Sequence, residues 1–177
     1  MKRQEAIEFA REAHAGQVRD HSGDPYVVHP LRVADRVASI PGASEAMVVA
    51  AVLHDVVEDS DVSLAEIAER FGADVARIVD GLSSKEDKSL RRVERKAAEV
   101  ARLAAEPAAV QSVKLADRID NLRDFPVDVK KVRRFLVKAY LPESAVLLDS
   151  LVDADAGVRA ELGEVIAAVR EAVEAEG

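Results

Sequence analysis

The stretch that most constrains this chain is Ala46–Val57, AMVVAAVLHDVV, which is almost free of charge. Its apolar residues fall on most sides of a helix rather than along one stripe. Such a helix is stable only when other elements enclose it. No segment of the chain alternates convincingly with period two, so the enclosing elements are expected to be helices as well. Ser44 can cap this central helix, which is expected over 45–57.

The remaining helices follow from periodicity and from their stop signals. They are expected over 4–15, 29–39, 64–71, 73–82, 85–105, 108–124, 128–140, 143–152 and 157–175. Pro30 suits an early helical position, where its missing N–H is not needed. Ser63-Leu64-Ala65-Glu66 fits a capping box, and Gly72 fits a helix C-terminus. Gly16 to Pro25 is rich in turn formers and reads as a loop. There is no internal repeat and no low-complexity linker. The expectation is all-α, a bundle of about eight to ten helices in one domain over 1–177.

Several classes of function are excluded or disfavoured by composition. With no cysteine, there can be no disulfide, no thiolate-bound metal and no thiol nucleophile. No apolar run is long enough to span a membrane, and Met1-Lys2-Arg3-Gln4-Glu5 leads straight into an amphipathic pattern without a signal segment. A cytoplasmic protein is expected. The net charge of -8 and the absence of Trp argue against general nucleic-acid binding. The charge is uneven, however. Residues 85–134 carry 14 basic and 9 acidic side chains, a local +5, against 11 and 24 elsewhere. Lys85, Lys88, Arg91, Arg92 and Arg95 read equally well as a solvated helix face or as a rim that meets phosphates. Lys130, Lys131, Arg133 and Arg134 read as a solvated face.

The chemistry-bearing residues form an ordered set. His54-Asp55 sits inside the most apolar helix, where an ionisable pair is costly unless it is paired or binds metal. Helical spacing places Glu58 four residues from His54 and Asp59 four from Asp55. His29 and Asp117 lie on two further expected helices, and Asn121 shares a helix face with Asp117. Two imidazoles and two carboxylates suit a borderline divalent ion such as Mn²⁺, Fe²⁺, Zn²⁺ or Co²⁺. Alone, each of these histidines would read as a packed core or capping residue. His14 reads as a packed or supporting residue, His21 as a solvated loop residue, and Tyr26 as either a base-stacking or a packing ring.

Four blocks of sequence resemble one family. They are Ala13-His14-Ala15-Gly16-Gln17-Val18-Arg19 with Ser22-Gly23-Asp24-Pro25-Tyr26-Val27-Val28-His29-Pro30; Leu53-His54-Asp55-Val56-Val57-Glu58-Asp59; Phe71-Gly72-Ala73-Asp74-Val75 through Ile78-Val79-Asp80-Gly81-Leu82; and Val113-Lys114-Leu115-Ala116-Asp117-Arg118 with Asn121-Leu122-Arg123. In this order and spacing, over about 5–125, they resemble the (p)ppGpp hydrolase domain of the RelA/SpoT family of HD-domain phosphohydrolases. With only about 50 residues beyond the last block, and no room for a synthetase, the chain is similar to the small alarmone hydrolases.

The resemblance implies a metal, usually Mn²⁺, held by His29, His54, Asp55 and Asp117. It implies that Glu58 and Asp59 activate water, and that Arg19 and Asn121 contact the nucleotide. Glu94-Arg95-Lys96 is similar to a charged element at the mouth of the site. The implied reaction removes the 3′-pyrophosphate of ppGpp or pppGpp, giving GDP or GTP and pyrophosphate, as in the stringent response. Another phosphorylated nucleotide such as NADPH, or a catalytically silent alarmone-sensing module, are the alternatives. Arg19 lies between Val18 and Asp20 where the family often has two basic residues. Asp120 stands where many members carry His or Tyr, and Asp124 where some have Thr. These departures are expected at the substrate edge rather than at the metal. The oligomeric state is left open.

Overall fold

A computed structural model describes residues 2–87 and 89–176. The central segment behaves as its composition requires. Helix α3 (Glu45–Leu53) follows α1 (Lys2–Ala13) and α2 (Val28–Ala38), and its residues Val49 to Leu53 are fully buried. Ser44 caps α3 by accepting from the Met47 amide at 3.2 Å. After His54 and Asp55 the chain resumes as the single turn α4 (Val56–Asp59). The expected helix over 45–57 is therefore loosened at the His-Asp pair, which sits at the seam between α3 and α4.

Helices α5 (Leu64–Phe71) and α6 (Ala73–Leu82) match expectation. Ser63 caps α5 through the Glu66 amide at 3.2 Å. The Glu66 carboxylate pairs with Arg70 instead of closing a capping box. Gly72 joins the two helices with φ of +102°, a conformation that penalises any side chain.

The largest correction concerns 85–105, where among the described residues only α7 (Arg92–Ala104) is helical. Between Ser83 and Arg92 the sole large apolar residue is Leu90, so a helix there would bury almost nothing. Polar side chains bond the local backbone instead: the Ser89 amide donates to Asp87 and the Arg91 amide to Glu94. Lys88 lies outside the described residues.

Helix α8 (Ala108–Asp124) runs through the core and carries Val113, Leu115, Ala116, Ile119 and Leu122 inward. Helices α9 (Lys130–Phe135) and α10 (Leu141–Ser150) are joined by a π turn, Leu136–Tyr140, instead of being broken near Pro142. In that turn the Leu141 amide donates to the Leu136 carbonyl, five residues back. The wider turn takes up the missing N–H of Pro142 without ending the rod. Helix α11 (Ala156–Ala175), capped by Asp155, packs on α8 and buries Val158, Leu162, Val165 and Ile166.

Counted as continuous rods, the described residues form nine helices and no strand, which bears out the all-α expectation. One isolated bridge, Val18 to Pro25, closes the loop after α1. No helix among them is long and apolar enough to cross a membrane. Helix α3 packs against α1, α2, α6 and α8, so its C-terminal end meets the inward faces of α2 and α8. There His54 and Asp55 face His29 from α2 and Asp117 from α8.

Candidate metal centre

Three elements meet at this point, and each contributes side chains for a local reason. On α2, the residue before Pro30 is His29, which lies on the buried face beside Val33. On α8, Asp117 and Asp120 lie on the side that faces α2. His29, His54 and Asp55 each place one ligand atom within 4.8 Å of the others. Asp117 joins them: its Oδ1 lies 3.3 Å from His29 Nε2 and 3.9 Å from His54 Nε2. Asp55 Oδ2 lies 3.7 Å and 3.1 Å from the same two nitrogens.

Both rings are oriented from behind. His29 Nδ1 is 2.7 Å from Asp120 Oδ2, and His54 Nδ1 is 2.8 Å from the Ala51 carbonyl. Each Nδ1–H donates to these acceptors, so each Nε2 faces the cluster and offers its lone pair there once its proton leaves. His54 Nε2 is buried and lacks any hydrogen-bond partner of its own, although Asp55 Oδ2 is near. An orphaned buried nitrogen, a second imidazole and two carboxylates at such separations fit a divalent metal ion. The donor set, nitrogen and oxygen without sulfur, is that of a first-row divalent ion.

The electrostatics are strongly coupled. Burial disfavours the charged form of His54, but the Asp55 and Asp117 carboxylates more than offset it and raise its pKa to about 9. Burial opposes protonation of His29 too, and its bonds with Asp117 and Asp120 again win, so its pKa is raised. Asp55 and Asp117 are pulled the other way. Burial would raise them, yet the two rings hold Asp55 low, and Lys114 with the rings holds Asp117 well below the usual carboxylate range. Lys114 Nζ lies 3.0 Å from Asp117 Oδ2 and 3.8 Å from Glu99.

The other sequence-predicted residues divide. Arg19 and Asn121 come together: Arg19 Nη2 donates to Asn121 Oδ1 at 2.9 Å, and Asn121 Nδ2 donates to Asp117 Oδ1 at 2.5 Å. Arg19 thus reaches the cluster through one side chain. The loop that carries it is tight, with the Arg19 amide donating to Asp24 and the Tyr26 amide to Gln17. A cavity of about 230 Å³ opens beside it, lined by Arg19, His21, Tyr26, Asn121, Asp124 and Phe125. His21 packs its ring 4.9 Å from that of Phe125.

Asp59 is near Asp55, and burial followed by that charge raises its pKa. Glu58 turns away from the rings and accepts from the Ser84 amide at 2.7 Å. His14 is buried, with Nδ1 2.8 Å from Gln17 Oε1 and its ring against Tyr26.

Much of the basic segment 85–134 is neutralised. Lys85 pairs with Asp80, Arg91 with Glu94, Arg92 with Glu143, Lys96 with Glu99 and Arg102 with Glu86. These pairs favour the ion-paired face at Lys85, Arg91 and Arg92. Glu94 and Lys96 of the charged element are tied up in these pairs, and Arg95 donates to the Leu90 carbonyl.

Sequence reasoning undervalued three residues. Tyr26 donates its hydroxyl to Asp55 Oδ2 at 2.7 Å, and burial and that carboxylate push its pKa upward. Asp120 is buried behind His29 rather than at the substrate edge. Arg32 grips Asp120 from outside. The only sequence signal for Asp120 was its unusual residue type. Its partner is 91 positions away, beyond the reach of any local pattern.

Comparison with known proteins agrees with this geometry. A family model described as HD domain matches residues 6–142. The human protein MESH1, named guanosine-3′,5′-bis(diphosphate) 3′-pyrophosphohydrolase, is 41% identical over 122 residues, covering 68% of this chain and 67% of its own length. A protein of the same enzyme name from Aquifex aeolicus is 36% identical over 143 residues, 76% of this chain but 19% of that protein. The chain thus spans about a fifth of one relative and two thirds of the other. A solved structure of a metazoan ortholog of SpoT that hydrolyzes ppGpp superposes with a TM-score of 0.80 at 32% identity, covering 94% of each chain. The chain belongs to the HD-domain family, on the branch that holds the MESH1 and SpoT-type proteins.

Proposed function

We propose that this chain hydrolyses the 3′-pyrophosphate of ppGpp or pppGpp, releasing GDP or GTP and pyrophosphate. The observation that carries this reading is the convergence of two outward-tied imidazoles with two low-pKa carboxylates, joined through Asn121 and Arg19 to an open cavity. The relatives' shared enzyme name supports the substrate class.

His29, His54, Asp55 and Asp117 would hold the metal, which we take to be Mn²⁺. When bound, such an ion acidifies a water and polarises a phosphoryl oxygen. Tyr26 holds Asp55 in place, and Lys114 does the same for Asp117. Arg19 and Asn121 bind the anionic nucleotide at the edge of the cavity. Water adds to the phosphorus that carries the 3′-oxygen, and the bond between them breaks. Asp59, whose raised pKa suits proton acceptance, takes the water proton. The 3′-oxygen leaves as the ribose hydroxyl after taking a proton from solvent. Glu58 supplies the second carboxylate of the pair, held at the Ser84 amide. The whole chain acts as one domain, since α11 packs on the helix that carries Asp117. Its substrate is a free nucleotide of the cytoplasm, where we place its work.

The test is product analysis on ppGpp with Mn²⁺, beside a panel of phosphorylated nucleotides that includes NADPH. GDP and pyrophosphate in equal amounts are expected, with the highest kcat/KM on ppGpp or pppGpp. No turnover with stoichiometric protein refutes the reading, and a higher kcat/KM on another nucleotide reassigns the substrate.

A further inference from the structure

The two rings of the cluster are oriented by different means. His54 is held by a backbone carbonyl, which no substitution can remove. His29 is held by a side chain, Asp120, that is 4% exposed. That carboxylate is itself clamped. Arg32 Nε donates to Asp120 Oδ1 at 2.8 Å, and Nη2 donates to Oδ2 at 3.0 Å. This is a two-pronged fork that fixes the plane of the carboxylate. Arg32 extends further, with Nη2 3.3 Å from Asp124 Oδ1, while Asp124 Oδ2 accepts from Arg19 Nε at 3.0 Å.

These bonds form a closed circuit. It runs from His29 through Asp120, Arg32, Asp124, Arg19 and Asn121 to Asp117, whose Oδ1 faces His29 Nε2. Both ends are members of the ligand set. Asp120, Arg32 and Asp124 also line the cavity of about 670 Å³ on the far side from the cluster, so the clamp is built from the solvent side.

We propose that Asp120, clamped by Arg32, is a positioning residue that fixes His29 as a metal ligand and links it to the nucleotide-facing Arg19. The inference rests on reading the His/Asp cluster as a metal site. Its physical basis is that a carboxylate on Nδ1–H fixes the tautomer and the ring plane, and makes Nε2 a better donor. The clamp on Asp120 keeps that carboxylate from rotating to another partner.

The test is Mn²⁺ affinity, measured by competition with a metal indicator on the whole chain, together with thermal unfolding in chelator. Asp120→Ala should weaken Mn²⁺ binding by about 10- to 100-fold. Asp120→Asn should recover part of this loss, because its amide oxygen still accepts from Nδ1–H. Arg32→Gln, at a side chain 40% exposed, should give a smaller loss with little change in unfolding temperature. The absorption spectrum of the Co²⁺-loaded protein should shift in all three variants. If Asp120→Ala does not fold, Asp120→Asn and Arg32→Gln carry the test.

Variants that unfold at lower temperature yet bind Mn²⁺ like the wild type overturn the proposal, because Asp120 then serves the fold alone. Wild-type protein that takes up no Mn²⁺ overturns both the ligand set and this role for Asp120. Wild-type protein that binds Mn²⁺, with weakened variants but no cleavage of ppGpp, supports the proposal and refutes the proposed reaction.

Discussion

Metal uptake by this chain should release protons, with affinity rising steeply with pH up to about 9. In chelator-treated protein, burial disfavours the charged His54 ring, but Asp55 and Asp117 outweigh it and raise the pKa from 6.5 to about 9. His29 is raised in the same sense. A ring protonated on Nε2 cannot bind metal. At pH 7, two units below the folded pKa of His54, only about one ring in a hundred is free to bind. Each further pH unit should strengthen apparent Mn²⁺ affinity about tenfold from His54 alone, levelling near pH 9. Asp55 and Asp117 titrate far below this window and do not add to the slope.

The same proton sets the stability of the metal-free protein with the opposite sign. A folded pKa above the unfolded value contributes stability that is fully present below pH 6.5 and is lost as pH rises through about 9. A shift from 6.5 to about 9, at about 1.4 kcal/mol per unit, amounts to about 3 kcal/mol. Urea unfolding in chelator should lose that amount across the window. Mn²⁺-saturated protein should not, because bound metal stabilises more as the proton competes less. Titration calorimetry in buffers of different ionisation enthalpy counts the released protons. Affinity that is flat from pH 6.5 to 9, with no proton released at pH 7, would refute the assignment of these two rings as ligands.

Further outcomes follow from the same geometry. Asp59→Asn should lower kcat by about 10²- to 10⁴-fold while leaving Mn²⁺ affinity near the wild-type value, as steady-state kinetics beside metal titration would show. Arg19→Ala removes the bonds to Asn121 and Asp124 and should raise KM for the nucleotide more than it lowers kcat; an unchanged KM would sink its role as a binding residue. Leu53→Ala, at a fully buried position next to His54, should cost about 2–5 kcal/mol of unfolding free energy in urea.

The fold was readable where burial and local chemistry agreed. The ends of α5, α6 and α8 coincide with Ser63, Gly72, Pro107 and Phe125-Pro126, which stop or start a helix by their own backbone preferences. Expectation failed over the described residues of 85–91, because helix-forming side chains there had no core to face, and at Pro142, where a π turn carries the rod on. In the site, His54 and Asp55 stood out as an ionisable pair in an apolar helix, and His29 and Asp117 through the ordered set and the family resemblance they complete. Asp120 did not, because one more acid on a helix already carrying Asp117 and Asp124 looks like solvated charge until its partner is known. The basic segment was ambiguous in sequence, reading equally as a solvated face or a rim, and carboxylates from Asp80, Glu99 and Glu143 cancel part of its charge.

The sequence by itself determined the class of fold and the type of centre. An apolar stretch such as Ala46–Val57 demands enclosure, helical period leaves only helices to enclose it, and the absence of cysteine leaves nitrogen and oxygen as the donors. These are properties of composition and spacing, which every conformation of the chain shares. Only the tertiary structure decided which nitrogen of each ring faces the cluster, that Glu58 turns to Ser84 while Asp59 stays near Asp55, and that Asp120 stands behind His29. Apart from the bond of His54 to the Ala51 carbonyl three residues back, each of those depends on hydrogen bonds between residues far apart in the chain, and their directions exist only once the helices are packed.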